Sequence, residues 1–472
     1  MRLVTAIFGA PAVRYVRAKP ASVHAESPRA RVQVAPPQDD FQTIAQHMFA
    51  LMLRNVSSDG FRFTDPADPQ QFSAPGCVVA APSFPANDPG VDQDYVFNWT
   101  RDAAITAMEI AAAGLRAGPG GGVQPLIDYV TFAKTCQDNA APTLAHACFT
   151  IEGQPRPWTE QTDGPALQTL AMLAAYGQLD QATQAIAAQV IDTNLSFLLK
   201  AYQEPTTNLW EEHSGYSFFA RAVQLRCLRE ISANGYGIAV PPGTSDAIGW
   251  LGWALPGHWD GTRYLSLLAP GDTPSDPAGP GYDPNIDIVM AAVYGAIPVT
   301  DTKLLATAAL LRQQWDASAS APVYPINIAD HDQRGIGPLM GRYPGDTYDG
   351  DMADHVEGGH PWALCTCNFA ELYYRLGTAI AQAQAIPFDD LSSAFFGQAG
   401  IDAGTAPADA VAALDQAGDA MLQAVVYHSD DLELSEQFDG TTGYEKSVHN
   451  LTWSYAAFLS AVRAKSGRHV QG

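Results

Sequence analysis

The sequence predicts an all-α protein whose helices close into a toroid, an inner ring wrapped by an outer one. Three observations carry this expectation. Apolar residues recur at three-to-four spacing along most of the chain, strict alternation over five or more residues is rare, and long Gly/Pro/Asp/Ser loops fall after every second helix. Loops returning at that rhythm gather on one working face.

In chain order, helical spacing is found near 40–56, 101–115, 123–136, 164–178, 181–202, 215–233, 285–297, 301–317, 359–384, 406–426 and 449–465, with a further stretch near 246–268. Loops occupy 57–99, 137–162, 203–213, 234–245, 269–284, 319–358 and 427–447. Ordered loops longer than about 12 to 15 residues are uncommon and usually functional. No repeat of a fixed period of about 30 to 45 residues is present, which argues against a helical solenoid. No linker divides residues 37–472, so a single catalytic-sized domain is expected there.

Of 472 residues, 47% are hydrophobic, enough for a large core. With 26 basic against 50 acidic residues, the formal charge of −24 repels nucleic acid and anionic membrane surfaces. A neutral substrate suits such a chain. No uncharged apolar run approaches the roughly 18 to 20 residues of a membrane span.

Residues 1–36 differ from the rest, being basic (Arg2, Arg14, Arg17, Lys19, Arg29, Arg31) with Glu26 as their one acid. Ala6 to Ala10 and Val23-His24-Ala25 have features of a secretory signal, but Arg14, Arg17 and Lys19 interrupt its apolar core. An N-terminal arm and a targeting segment both remain open, with an extracellular or periplasmic location following from the second and a cytoplasmic one from the first. The six cysteines lack a C-x-x-C pair. Cys227 reads as a buried apolar residue, while Cys136 and Cys148 could close a loop, the redox compartment being undecided.

Two strings hold the chemistry that stands out. Asn208-Leu209-Trp210-Glu211-Glu212 and Leu434-Ser435-Glu436-Gln437-Phe438 each set a carboxylate among large apolar neighbours. Cleaving a glycosidic bond needs two such groups, one to protonate the leaving oxygen and one to activate water or attack the sugar. A carboxyl packed on Trp210 would be desolvated and stay protonated as a general acid. Alternatively, Glu211 and Glu212 complement the dipole of a helix starting near Ser214 or Gly215. Glu436 would share one face of an extended segment with Leu432, Leu434 and Phe438, which makes it either partnered by Arg or functional.

Two further clusters offer sugar-binding chemistry. Tyr95-Val96-Phe97-Asn98-Trp99-Thr100-Arg101-Asp102 combines a tandem Arg and Asp, able to donate to and accept from a pair of hydroxyls, with flat aromatic faces. Gly341-Arg342-Tyr343-Pro344-Gly345-Asp346-Thr347-Tyr348 repeats those groups on a Gly/Pro loop. A local ion pair at a helix start is the plain alternative for the first.

Together with Val78 to Ser83, Asp163-Gly164-Pro165-Ala166-Leu167, Ser217-Phe218-Phe219 and Leu451 to Ala457, these strings resemble glycoside hydrolase family 15, the glucoamylases and their relatives, from about residue 73 to 462. The resemblance implies an (α/α)6 barrel and exo-attack releasing β-glucose with inversion from starch, maltodextrins or malto-oligosaccharides. It implies Glu211 as general acid and Glu436 as general base. Tyr95 would lie near the developing oxocarbenium charge, and Arg101 and Asp102 would hold the terminal glucose. Trp99, Trp158, Trp210, Glu212, Arg342, Trp362 and Gln437 would contact sugar around the cut.

The chain departs from the family pattern at Asn208, where members often carry an acid, and at Trp158, a residue short of the family's spacing. The acidic loop 349–357 is read as solvated rather than calcium-binding, since it lacks EF-hand spacing. No metal or cofactor is expected, and a monomer is assumed. The rival readings are a relative acting on α-1,6 glucans or trehalose, and a non-catalytic glucan-binding protein.

Overall fold

The computed structural model describes residues 41–467 apart from 65–67, 83–93, 115–122, 234, 270–277, 318–323 and 352–357. The basic stretch 1–36 lies outside the described residues. In chain order the helices are α1 (Phe41–Leu53), α2 (Thr100–Ala112), α3 (Gln124–Asn139), α4 (Asp163–Tyr176), α5 (Gln181–Ala201), α6 (Phe218–Ala233) and α7 (Thr244–Ala254). They continue with α8 (Asp287–Val293), α9 (Thr302–Trp315), α10 (Pro325–Arg334), α11 (Ala363–Ala383), α12 (Ser393–Gln398), α13 (Pro407–His428) and α14 (Thr452–Ser466).

Helices α2, α4, α6, α8, α11 and α14 pack each on the next, and α14 returns to α2, closing an inner ring. Around it α1 packs on α14, α3 on α2, α5 on α4, α7 on α6, α9 on α8 and α13 on α11. This is an (α/α)6 barrel. Sequence follows position: α11 is buried on every side from Ala363 to Tyr374, whereas α5 buries one stripe, Thr183, Ala187, Val190, Ile191, Asn194, Leu195 and Leu198. A helix surrounded by others has no solvent side to pay for with polar residues. Asp180 and Asp301 start α5 and α9 by accepting backbone N–H bonds from Thr183 (2.8 Å) and Lys303 (2.8 Å).

Two helices fall where the sequence predicted none. Helix α10 is short and mostly polar, burying Ile326, Asn327 and Asp330, with Pro325 at its start and Gly335 beyond its end, at φ 66°, to delimit it. Six residues of α12 are too short to show a period. The stretch expected to be helical to 268 instead ends α7 at Ala254, tightens into a 3-10 turn over Leu255–His258 at Pro256, and becomes extended at Leu267–Leu268.

Short strands brace the loops at the N-terminal ends of the inner helices. β1 (Asn98–Trp99) pairs with β2 (Cys148–Phe149). β3 (Thr206–Thr207) and β5 (Leu267–Leu268) flank β4 (Ser214–Ser217), and β6 (Gln437–Phe438) pairs with β7 (Glu445–Lys446), all antiparallel. The helix expected from Ser214 or Gly215 therefore begins only at Phe218. Gly215 makes β4 possible, because a Cβ there would meet the Leu268 carbonyl oxygen at 2.8 Å. All six cysteines are buried free thiols, so Cys136 and Cys148 close no loop. Burial pushes Cys227 up to about 12, consistent with a core residue.

Candidate active site

The first acid stands on the tip of the β3–β4 hairpin, and Asn208 builds that tip. Its buried Oδ1 accepts the backbone N–H groups of Glu212 (2.8 Å) and His213 (3.1 Å), while its Nδ2 donates to the Tyr282 hydroxyl. Gln161 Nε2 donates to the Asn208 carbonyl at 2.5 Å. These bonds hold Glu211 in the left-handed region, φ 66°, a conformation costing a non-glycine residue about 1 to 3 kcal/mol. An acid at 208 would lack the N–H group offered to Tyr282, so the departure from the family pattern has a local structural use.

Both oxygens of the Glu211 carboxyl accept indole N–H bonds, Oε1 from Trp99 (2.8 Å) and Oε2 from Trp158 (2.6 Å). Trp158 is 51% exposed. The sequence set Trp210 against this acid, but the Trp210 indole turns away to donate to Asn285 Oδ1 at 3.0 Å and to pack on Trp362.

Glu436 is the second acid, buried and held by three hydroxyls. Its Oε1 accepts from Tyr95 (2.9 Å), and its Oε2 accepts from Tyr348 (3.1 Å) and Ser447 (2.5 Å). Burial pushes its pKa above the usual glutamate value, with those three hydroxyls and Arg342 pulling the other way. The extended face expected from Leu432 to Phe438 is not formed. Asp431 and Leu432 have φ of 52° and 69°, and every residue from Leu434 to Phe438 is buried, so no alternation survives. The two acids are linked through aromatics: Tyr95, bonded to Glu436, packs at 5.5 Å on Trp99, bonded to Glu211.

Arg101 and Asp102 lie in the first turn of α2, where the positive end of the helix favours a carboxylate. Arg101 Nη1 donates to Gln161 Oε1 and Asp163 Oδ2, each at 3.0 Å, and its guanidinium faces the Trp453 ring. Arg101 Nε and Asp102 Oδ2 are buried without a hydrogen-bond partner, 3.7 Å apart. Burial drives Asp102 up to about 7, against the pull of Arg101 and with the Glu211 charge adding to the rise.

Arg342 anchors the remaining wall. It grips Asp346 through Nε (2.7 Å) and Nη2 (2.5 Å) and pairs with Glu212 at 2.9 Å, between the rings of Trp210, Tyr343, Tyr348 and Trp362. Tyr343 donates to the other Glu212 oxygen at 2.9 Å. Trp362, at the start of α11, keeps a buried indole N–H without a partner. Gln437, offered by the sequence as a sugar contact, is buried; its amide donates to the Tyr348 carbonyl and accepts from Gly350 N, both at 3.0 Å. A side chain spent on backbone at both ends positions a loop.

The structure thus gathers Tyr95, Trp99, Arg101, Asp102, Trp158, Glu211, Glu212, Arg342, Trp362 and Glu436 into one connected network, with Trp210 and Gln437 behind it. Sequence reasoning did not assign Ser447, Tyr348, Gln161 or Asp346 to the site. Tyr348 and Asp346 lay inside a cluster already singled out; Ser447 carried no local signal, since its role comes from a loop that folds back on Glu436. Asp349 pairs with Lys446 at 3.0 Å and His360 at 3.2 Å, and Lys446 also reaches Asp351. No cluster of three metal-ligating residues is found among the described residues, and 352–357 of the acidic loop lie outside them.

A cavity of about 530 Å3 opens at the opposite, C-terminal ends of the inner helices, lined in part by Glu109, Arg226, Glu230, Arg375 and Arg463. None of the residues expected to act on sugar lines it. Its arginines are taken up by neighbouring glutamates, Arg463 by Glu109 and Arg226 by Glu230.

The family model for glycosyl hydrolases family 15 matches residues 50–463. The chain belongs to glycosyl hydrolase family 15. It is therefore a glycoside hydrolase built on the family's (α/α)6 barrel. A glucoamylase of Blastobotrys adeninivorans is 27% identical over 83% of this chain and 68% of its own length. A probable glucoamylase of Schizosaccharomyces pombe is 26% identical over 87% and 88%. Among solved structures, the Hormoconis resinae glucoamylase superposes with a TM-score of 0.73 at 23% identity, covering 91% of this chain and 74% of that one. The Saccharomycopsis fibuligera glucoamylase does so at 0.72 and 20%, covering 94% and 99%. The family match spans every described residue of the network above, from Tyr95 to Ser447.

Proposed function

We propose that the chain is an exo-acting, inverting α-glucosidase of the glucoamylase type, releasing β-D-glucose from the non-reducing ends of starch, maltodextrins or malto-oligosaccharides. The observation that carries this reading is the pair of differently held carboxyls, Glu211 on the Trp99 and Trp158 indoles and Glu436 on the Tyr95, Tyr348 and Ser447 hydroxyls, joined by the packing of Tyr95 on Trp99. The glucoamylase names of the curated relatives point to the same substrate class.

In this reading Glu211 protonates the glycosidic oxygen. Trp99 keeps hold of Oε1, while the half-exposed Trp158 yields Oε2 to the substrate. Glu436, with its raised pKa, takes a proton from a water on the opposite ring face, and the Tyr95 and Tyr348 hydroxyls fix its orientation. Glu212 and Arg342 hold the sugar beyond the cut.

Glucose release from maltose, isomaltose, trehalose and soluble starch tests the reading. Maltose and starch should be cleaved fastest, with Glu211→Gln and Glu436→Gln each nearly inactive but folded. Preference for isomaltose or trehalose would reassign the linkage, and no release from any would remove the enzymatic reading.

A further inference from the structure

The outer helix α7 carries two neighbouring indoles, one packed against the barrel core and one turned to solvent. Trp253 is 70% exposed, and Trp250 is partly buried with its ring centre 6.3 Å away. Burying an aromatic ring is worth far more than leaving it in water, so an exposed indole fixed beside a half-buried one marks a surface suited to a ligand.

The pair is prearranged. Trp250 packs against Tyr202 at 5.4 Å and over the buried Arg221 guanidinium at 5.1 Å, which in turn faces Tyr216 at 4.6 Å. Beside the indoles stand Gly249 and Gly252, mid-helix, and a Cβ at either would meet nothing within 4 Å. Glycine in a helix interior costs about 1 kcal/mol relative to alanine. No packing constraint explains two of them, and their effect is to keep the helix surface bare next to the rings.

We propose that Trp250 and Trp253 form a second α-glucan-binding surface on the outer wall of the barrel, at its catalytic end. The surface is continuous with the catalytic face: Tyr202 ends α5 just before β3, and Tyr216 lies on β4, so the two strands of the Glu211 hairpin lead to Trp250. A chain of net charge −24 disfavours an anionic polymer there, whereas indole faces match the C–H faces of neutral glucose units. With Trp253 exposed and Trp250 partly buried, the two indoles offer less than about 300 Å2. A stable dimer buries roughly 800 Å2 on each partner.

This inference rests on the glucan-hydrolase reading, and the test separates them. Adsorption of the full chain to granular starch and its mobility in gels containing amylopectin are measured alongside maltose hydrolysis. Trp250→Ala/Trp253→Ala should weaken adsorption about tenfold or more, the effect of removing two aromatic anchors, with maltose kcat/KM unchanged. Gly249→Gln, which leaves both rings in place and meets no neighbour, should weaken adsorption in the same direction. Unchanged adsorption in both variants overturns the surface, as does a concentration-dependent dimer that the tryptophan variant abolishes. Adsorption lost on mutation in a chain that cleaves no α-glucoside would leave the surface standing and remove the hydrolase reading instead.

Discussion

Replacing Ser447 by alanine isolates the pKa control of the proposed base. Ser447 Oγ donates to Glu436 Oε2 at 2.5 Å inside a site where the carboxyl is 3% exposed, so solvent screens the bond little. A hydrogen bond to a charged group contributes about 1.5 to 3 kcal/mol. Losing it should push the Glu436 pKa further up, by the free energy of that bond. The sign follows from the role. A base must be deprotonated, so kcat/KM falls as pH drops through this pKa, and the acidic limb of Ser447→Ala should move to higher pH. The assay is kcat/KM for maltose across the pH range, which reports the free enzyme. Tyr348→Phe should move the limb the same way. An acidic limb that stays in place, or moves to lower pH, refutes Glu436 as the group that titrates there.

Asn208→Ala removes the acceptor of two backbone N–H groups in a buried tip; unfolding free energy should drop by about 1 to 3 kcal/mol and kcat should fall as Glu211 loses its fixed position. Thermal unfolding and steady-state kinetics check both, and a stable variant with normal kcat would contradict the loop-building role. Asp102→Asn tests the buried carboxyl through stability. The Asp102 pKa rises from 3.8 to about 7 on folding, so the native state holds a proton that the unfolded state releases, and this contribution is full below pH 3.8 and lost as pH rises through 7. The stability of the variant relative to the native protein should therefore climb across that window and level off above it; a flat or falling difference in thermal melts would mean the carboxyl is ionised throughout. Gly249→Ala should raise unfolding free energy by about 1 kcal/mol, and a loss would mean that the bare helix surface is needed for folding.

The barrel was legible because outer helices such as α5 bury one stripe, inner ones such as α11 bury every side, and long loops collected on one end. What stayed hidden was non-local or polar. Helix α10 is ten mostly polar residues that bury Ile326 with Asn327 and Asp330, so it reads in sequence as part of a loop. The hairpin bearing Glu211 reads in sequence as a loop running into a helix, because strands of two and four residues show no alternation and Gly215 marks only a close backbone approach. At the site, residue types and family order pointed to both acids and to the Arg and Trp groups around them. Which indole meets which acid was not readable: Trp210 is adjacent in sequence to Glu211, yet Trp99 and Trp158 bond to it from other loops. Ser447 illustrates the same limit, since an isolated serine gains meaning only from the fold that sets it against Glu436.

The anomeric form of the first product tests the central claim most directly. Proton NMR of fresh hydrolysate from maltose or maltoheptaose, recorded before mutarotation, should show β-glucose appearing first, as water activated by Glu436 attacks opposite the oxygen protonated by Glu211. An initial α-anomer would contradict the assignment of separate acid and base roles.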